Sequence, residues 1–169
     1  MYEEKSTQLS REEINQYLED LKSGDTKERA IAAYMLGTHG KNDKKIKQSL
    51  KEALKDKNFE VKKWAALSLG EMGEKDSKIV PILIKVLRSD ENNEFRTHAA
   101  IILGELEKQA IPALPALHSA SQENNTRLRD WACWAVNKIV KETTNYRISY
   151  PKVRPKLSDR IRFIDKESE

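Results

Sequence analysis

The chain has 169 residues, 38% of them hydrophobic and 34% charged, which is material for one continuous core but too short for a large multidomain machine. Lysine and arginine exceed the acids by only 31 to 27, too even a balance to imply nucleic acid by itself. The longest apolar run, 79–84, is interrupted by Pro81 and ended by Lys85, far short of the roughly 20 residues a bilayer crossing needs. The one cysteine, Cys133, can form neither an internal disulfide nor a thiolate metal cage and agrees with a reducing compartment. The first twenty residues are acidic and carry no apolar leader segment, so the expected location is the cytoplasm.

In chain order, Ser10 with Glu13 three residues on reads as a capping box, and Ile14, Tyr17, Leu18 and Leu21 form one apolar stripe. A capping helix is therefore predicted over 11–22. Helices are then predicted over 26–37, 43–55, 58–70, 77–88, 93–104, 111–121 and 126–141, and no segment alternates as a strand would.

These helices repeat. Ala32-Ala33, Ala65-Ala66, Ala99-Ala100 and Ala132-Cys133 recur at steps of 33, 34 and 33 residues. Each pair is followed at one fixed distance by Leu36-Gly37, Leu69-Gly70, Leu103-Gly104 and Val136-Asn137. Three residues before each pair stands a basic side chain: Arg29, Lys62, Arg96 and Arg129. Small pairs let helices of successive repeats approach closely. The glycines, and Asn137 in their place, read as left-handed residues that end the first helix of each unit. The second helices carry Ile46, Leu50 and Leu54, then Ile79, Leu83 and Leu87, then Ala113 and Leu117, at helical spacing and matching offsets. Each unit is thus a helical hairpin. The expected division is a capping segment over 1–23, a repeat array over 24–142 and a basic C-terminal arm over 143–169.

This pattern resembles HEAT repeats, in particular the short bacterial and archaeal kind and those of phycobilin-lyase-like proteins. The stretch Phe59-Glu-Val-Lys-Lys-Trp-Ala-Ala-Leu-Ser-Leu-Gly-Glu-Met-Gly73 is the copy most like the family pattern, and Ile111-Pro-Ala-Leu-Pro-Ala-Leu117 resembles its usual second helix. The resemblance implies an all-α, right-handed α-α superhelix, a HEAT-like (armadillo-like) solenoid of about four helical-hairpin repeats. The family's recurrent acidic residue before the first helix stands as Asp25 and Asp56, but as Asn92 or Asn93 and then Asn125 in the later copies.

Chemistry is sparse. His39, His98 and His118 fall in no metal-binding spacing, and the His-Glu pairs by which some HEAT-like enzymes hold iron are missing, so neither metal nor cofactor is expected. Cys133, in the small-pair column, reads as a buried inert thiol. His39, after a glycine, reads as a loop histidine. Trp64 and Trp131 share one repeat position and Trp134 occupies another. Packing between layers is the favoured role for all three, with a grip by Trp131 and Trp134 on the tail or on a partner as the alternative.

The lysine run is the candidate partner site. At 100° per residue Lys44, Lys51 and Lys55 fall on one ridge, well away from the Ile46, Leu50 and Leu54 stripe. In HEAT-like arrays second helices line the concave surface, so the ridge is expected to face it. Carried through the next repeats it passes Ile84 and Arg88, then Ile111, His118 and Gln122. The charge dies out along that line, which suits an acidic protein surface better than a duplex, since a duplex-binding groove needs cations along its whole length. Lys44, Lys51, Lys55, Ile84, Arg88 and His118 are accordingly the expected contacts of a non-enzymatic adaptor or scaffold that binds another protein. The resemblance offers a lyase-like or chaperone-like role toward a bilin-carrying protein as the alternative, and weak nucleic-acid binding is a further one. Past the last first-helix, Tyr146, Ile148, Tyr150, Val153 and Leu157 are expected to cover the end of the array, with Ile161 and Ile164 open to a partner or a second copy.

Overall fold

The computed structural model describes residues 9–40 and 43–143. Among them every regular element is helical: α1 (Arg11–Ser23), α2 (Thr26–His39), α3 (Lys44–Ala53), α4 (Phe59–Glu71), α5 (Val80–Ser89), α6 (Asn93–Leu106), α7 (Leu114–Ala120) and α8 (Thr126–Thr143). Short 3-10 segments, Ser77–Ile79 and Glu107–Ala113, lead into α5 and α7. Both junctions carry proline, Pro81 at the start of α5 and Pro112 inside the longer 3-10 segment, where a missing N–H cannot continue a regular α-helix. The chain divides into a unit over Met1–Met72 and a unit over Gly73–Glu169.

In the first unit α1 packs on α2, α2 on α4 and α3 on α4. The capping box that starts α1 is formed: Glu13 N–H donates to Ser10 Oγ at 3.1 Å, and Ser10 N–H donates to Glu13 Oε2 at 2.7 Å. A second box, Asp25 with Glu28, starts α2. In the second unit α5 packs on α6, α6 on α8, α7 on α8 and α5 on α7. The apolar stripes of the second helices are buried as expected, Ile46 and Leu50 in α3, Leu83 and Leu87 in α5, Leu117 in α7. So are the small pairs: Ala32, Ala33, Ala65, Ala66, Ala99, Ala100 and Ala132 are fully enclosed, and Cys133 nearly so.

The glycine column does something other than end helices. Gly37, Gly70 and Gly104 lie inside α2, α4 and α6, and the described glycine with positive φ is Gly73. A Cβ on Gly37 would stand 2.1 Å from Ser68 Oγ, and one on Gly104 would stand 2.4 Å from the Trp134 ring and 3.0 Å from Ala135 Cα. Both glycines therefore extend the small-pair surface along the line of closest helix approach. His39, consequently, is the last residue of α2 and half-buried rather than a loop residue.

Two members of the basic column, Arg29 and Arg96, form rungs. Arg29 Nε donates to Asp56 Oδ2 at 2.7 Å, Arg29 Nη2 donates to Asp56 Oδ1 at 3.1 Å, and Arg29 Nη1 donates to the Gly24 carbonyl at 2.8 Å. Burial pushes the Asp56 carboxyl up, but the hydrogen bonds from Arg29 and from the Asn58 N–H, with the charges of Arg29 and Lys57, outweigh it and hold it below its ordinary value. In the second unit Arg96 reaches Glu123 through both Nη atoms and donates from Nε to the Leu87 carbonyl at 2.8 Å. The asparagines cap instead: Asn92 Oδ1 accepts from the Glu94 N–H and Asn125 Oδ1 from the Leu128 N–H.

Candidate partner-binding surface

Asp43 starts α3 by accepting from the Lys45 and Ile46 N–H groups, which commits Ile46 and Leu50 to the core and turns the lysines outward. Lys44 is exposed and Lys51 half-buried. The helix ends at Ala53, so Lys55 belongs to the turn that follows, where its N–H donates to the Glu52 carbonyl; its side chain is exposed. Glu52, the acid among these lysines, accepts from Gln48 Nε2 at 3.1 Å. Lys44 and Lys51 thus lie on α3, and Lys55 stands two residues past its end.

The remaining expected contacts lie on the second unit. Ile84 is half-buried on α5 and Arg88 exposed in its last turn, while His118 is exposed in the last turn of α7. Ile111, in the 3-10 segment before α7, is 46% exposed, a large aliphatic side chain left open to solvent. Neither α5 nor α7 contains an acidic residue. α1 has the opposite character, with Glu12, Glu13 and Glu19 exposed.

Other residues that could carry chemistry are structural. Cys133 is buried, and burial together with the Asp130 charge raises its thiol above the ordinary value, the setting of an inert cysteine. No group of three His, Cys, Asp or Glu side chains that could hold a metal ion occurs among the described residues. No described helix is long and apolar enough to cross a membrane. Trp131 is buried and packs edge-on to the half-buried Trp134 at 5.3 Å, and Trp64 stacks at a tilt on Tyr34 at 5.0 Å. The tail over 144–169, with its expected cover and its docking residues Ile161 and Ile164, lies outside the described residues.

Two stretches of the sequence, residues 14–80 and 80–162, match the profile of HEAT repeats. The chain belongs to the HEAT-repeat family. Its fold is also that of a solved chain in the complex of CpcE and CpcF of phycocyanin lyase from Nostoc sp. PCC7120, with a TM-score of 0.52 and 22% identity over 84% of this chain and 69% of that one. Eighteen solved chains match in all. No curated protein matches in sequence. These similarities establish an all-α fold of HEAT hairpins, and what such a fold does is decided by its surfaces.

Sequence reasoning missed two features of this HEAT protein. One is Glu123 as the partner of Arg96. Aligned on helix starts, Asp56, Asp90 and Glu123 each stand three residues before α4, α6 and α8, so the column was present but masked by the better-known capping position two residues later. The other is a cluster at Glu107, whose ligands Lys75 and Lys138 stand 32 and 31 residues away and share no local pattern with it.

Proposed function

We propose that this HEAT-repeat protein is a small cytoplasmic adaptor that binds an acidic segment of another protein across its second helices. Lys44, Lys51 and Lys55 would supply attraction, Ile84 and Ile111 apolar contact, and Arg88 and His118 flanking polar contact. The observation that carries this reading is the absence of acid from α5 and α7, which leaves an acidic partner no like-charge repulsion on those two helices. Affinity capture from native lysate, run in parallel with the triple variant Lys44→Glu, Lys51→Glu, Lys55→Glu, tests it. A protein retained by the natural chain and lost by the variant is the expected result. Equal retention by both would contradict it.

A second reading rests on the likeness to a chain of a phycocyanin lyase complex: a lyase-like or chaperone-like role toward a bilin-carrying protein. It predicts that the purified protein mixed with free bilin shifts the pigment's visible absorbance, and an unchanged spectrum excludes it.

A further inference from the structure

Within the second unit, Glu107 closes α6 in a conformation that non-glycine residues rarely adopt, φ 53° and ψ −119°. Its carboxylate is gripped from two sides. Lys75 Nζ, from the segment before α5, donates to Oε2 at 3.1 Å, and Lys138 Nζ, from α8, lies 3.8 Å from Oε1. Lys75, by hydrogen bond and charge, and then Lys138 hold the Glu107 carboxyl below its ordinary value. Lys138 is itself pre-positioned: its ammonium sits 5.1 Å from the centroid of Trp134, over the ring face. That ring is fixed against Gly104 and against Trp131.

We infer that Lys75, Lys138 and Trp134 form a carboxylate-binding clamp, and that Glu107 is its internal occupant. Lys75 precedes α5 while Lys138 and Trp134 both belong to α8, and the two ammonium groups converge on one carboxylate. All remain partly open, Lys75 at 53%, Lys138 at 37% and Glu107 at 31% side-chain exposure, so an outside carboxylate can reach them. Glu107 is tethered, and a tethered group competes at an effective concentration in the millimolar range. An external carboxylate therefore binds the natural chain weakly. Exchange is assisted because release of Glu107 lets its backbone leave the left-handed region. The ligand chemistry is a carboxylate with room for two ammonium contacts, supplied either by a small polycarboxylate or by an acidic side chain of a partner.

The test is calorimetric titration at low salt with two probes, citrate and a glutamate-rich peptide, on the natural chain, on Glu107→Gln and on Glu107→Gln with Lys75→Met and Lys138→Met. Glu107→Gln is expected to bind at least one probe about tenfold more tightly, or at one additional site, once the internal competitor is gone. Citrate alone responding assigns the clamp to small polycarboxylates, and a response to the peptide assigns it to acidic side chains. The gain must vanish in the triple variant. A Glu107→Gln protein that loses melting temperature without gaining either ligand, or a gain that survives loss of both lysines, overturns the inference. Glu107→Gly separates strain from charge: glycine takes this φ freely, so it should melt no lower than Glu107→Gln and show the same gain.

Discussion

The two units solve one problem, how close to bring successive first helices, with different side chains. In the first unit Gly37 of α2 faces Ser68 of α4, and Ser68 Oγ donates to the Ala33 carbonyl at 2.9 Å. In the second unit the equivalent Gly104 faces Ala135 and the ring of Trp134. One contact is a polar fit and the other is an aromatic lid. The rungs differ in the same way. Arg29 and Asp56 are nearly enclosed, at 11% and 13% side-chain exposure, while Glu123 opposite Arg96 is 37% exposed. The lesson is that both units set a glycine against the next first helix and leave the chemistry at the contact free to vary.

The largest expected effect comes from filling the glycines. Gly37→Val and Gly104→Val should each cost about 3 kcal/mol in urea unfolding, since added carbons meet packed atoms rather than solvent. The two sites should differ in rescue. Ser68→Gly removes most of the obstruction at Gly37, whereas at Gly104 the obstruction is shared between Trp134 and Ala135 and no single substitution relieves it. Equal rescue by Ser68→Gly and Trp134→Ala would break the distinction.

Next in size is the enclosed rung. Asp56→Asn should lose about 1 kcal/mol, and Glu123→Gln only a few tenths, because the more exposed partner is better solvated when left alone. The Asp56 carboxyl is held below its ordinary value, so its stabilisation is present above the unfolded carboxylate range and is lost as pH falls through its folded value. The urea midpoints of the natural chain and Asp56→Asn should accordingly converge between about pH 7 and pH 3. A gap that widens in acid would refute this rung's role.

How much of this was legible depended on how far apart the interacting residues stand. The capping box at Ser10 and Glu13, the apolar stripes and the small pairs are set by spacings within one helix or by repetition, and each stands where the sequence pointed. The glycine column is ambiguous in sequence, because a glycine after a buried leucine looks the same at a helix end and at a helix crossing. What decides the matter is Ser68 or Trp134, some thirty residues on. Lys44 and Lys51 fall on α3, whereas Lys55 follows it because α3 stops at Ala53. Glu107 gave no sign at all, since the partners of its carboxylate stand on two other elements.

The smallest effect on stability accompanies the largest expected effect on binding. Lys44→Glu with Lys51→Glu should leave unfolding within about 0.5 kcal/mol of the natural chain, as surface changes do. The same is expected of a matched pair on the first helices, Lys27→Glu with Lys62→Glu. The decisive measurement is the affinity of both variants for a glutamate-rich peptide at low salt. If the second helices are the binding surface, the α3 pair abolishes binding and the α2 and α4 pair leaves it near the natural value. Equal losses would show that the peptide senses only net charge, and would contradict a partner site built on the second helices.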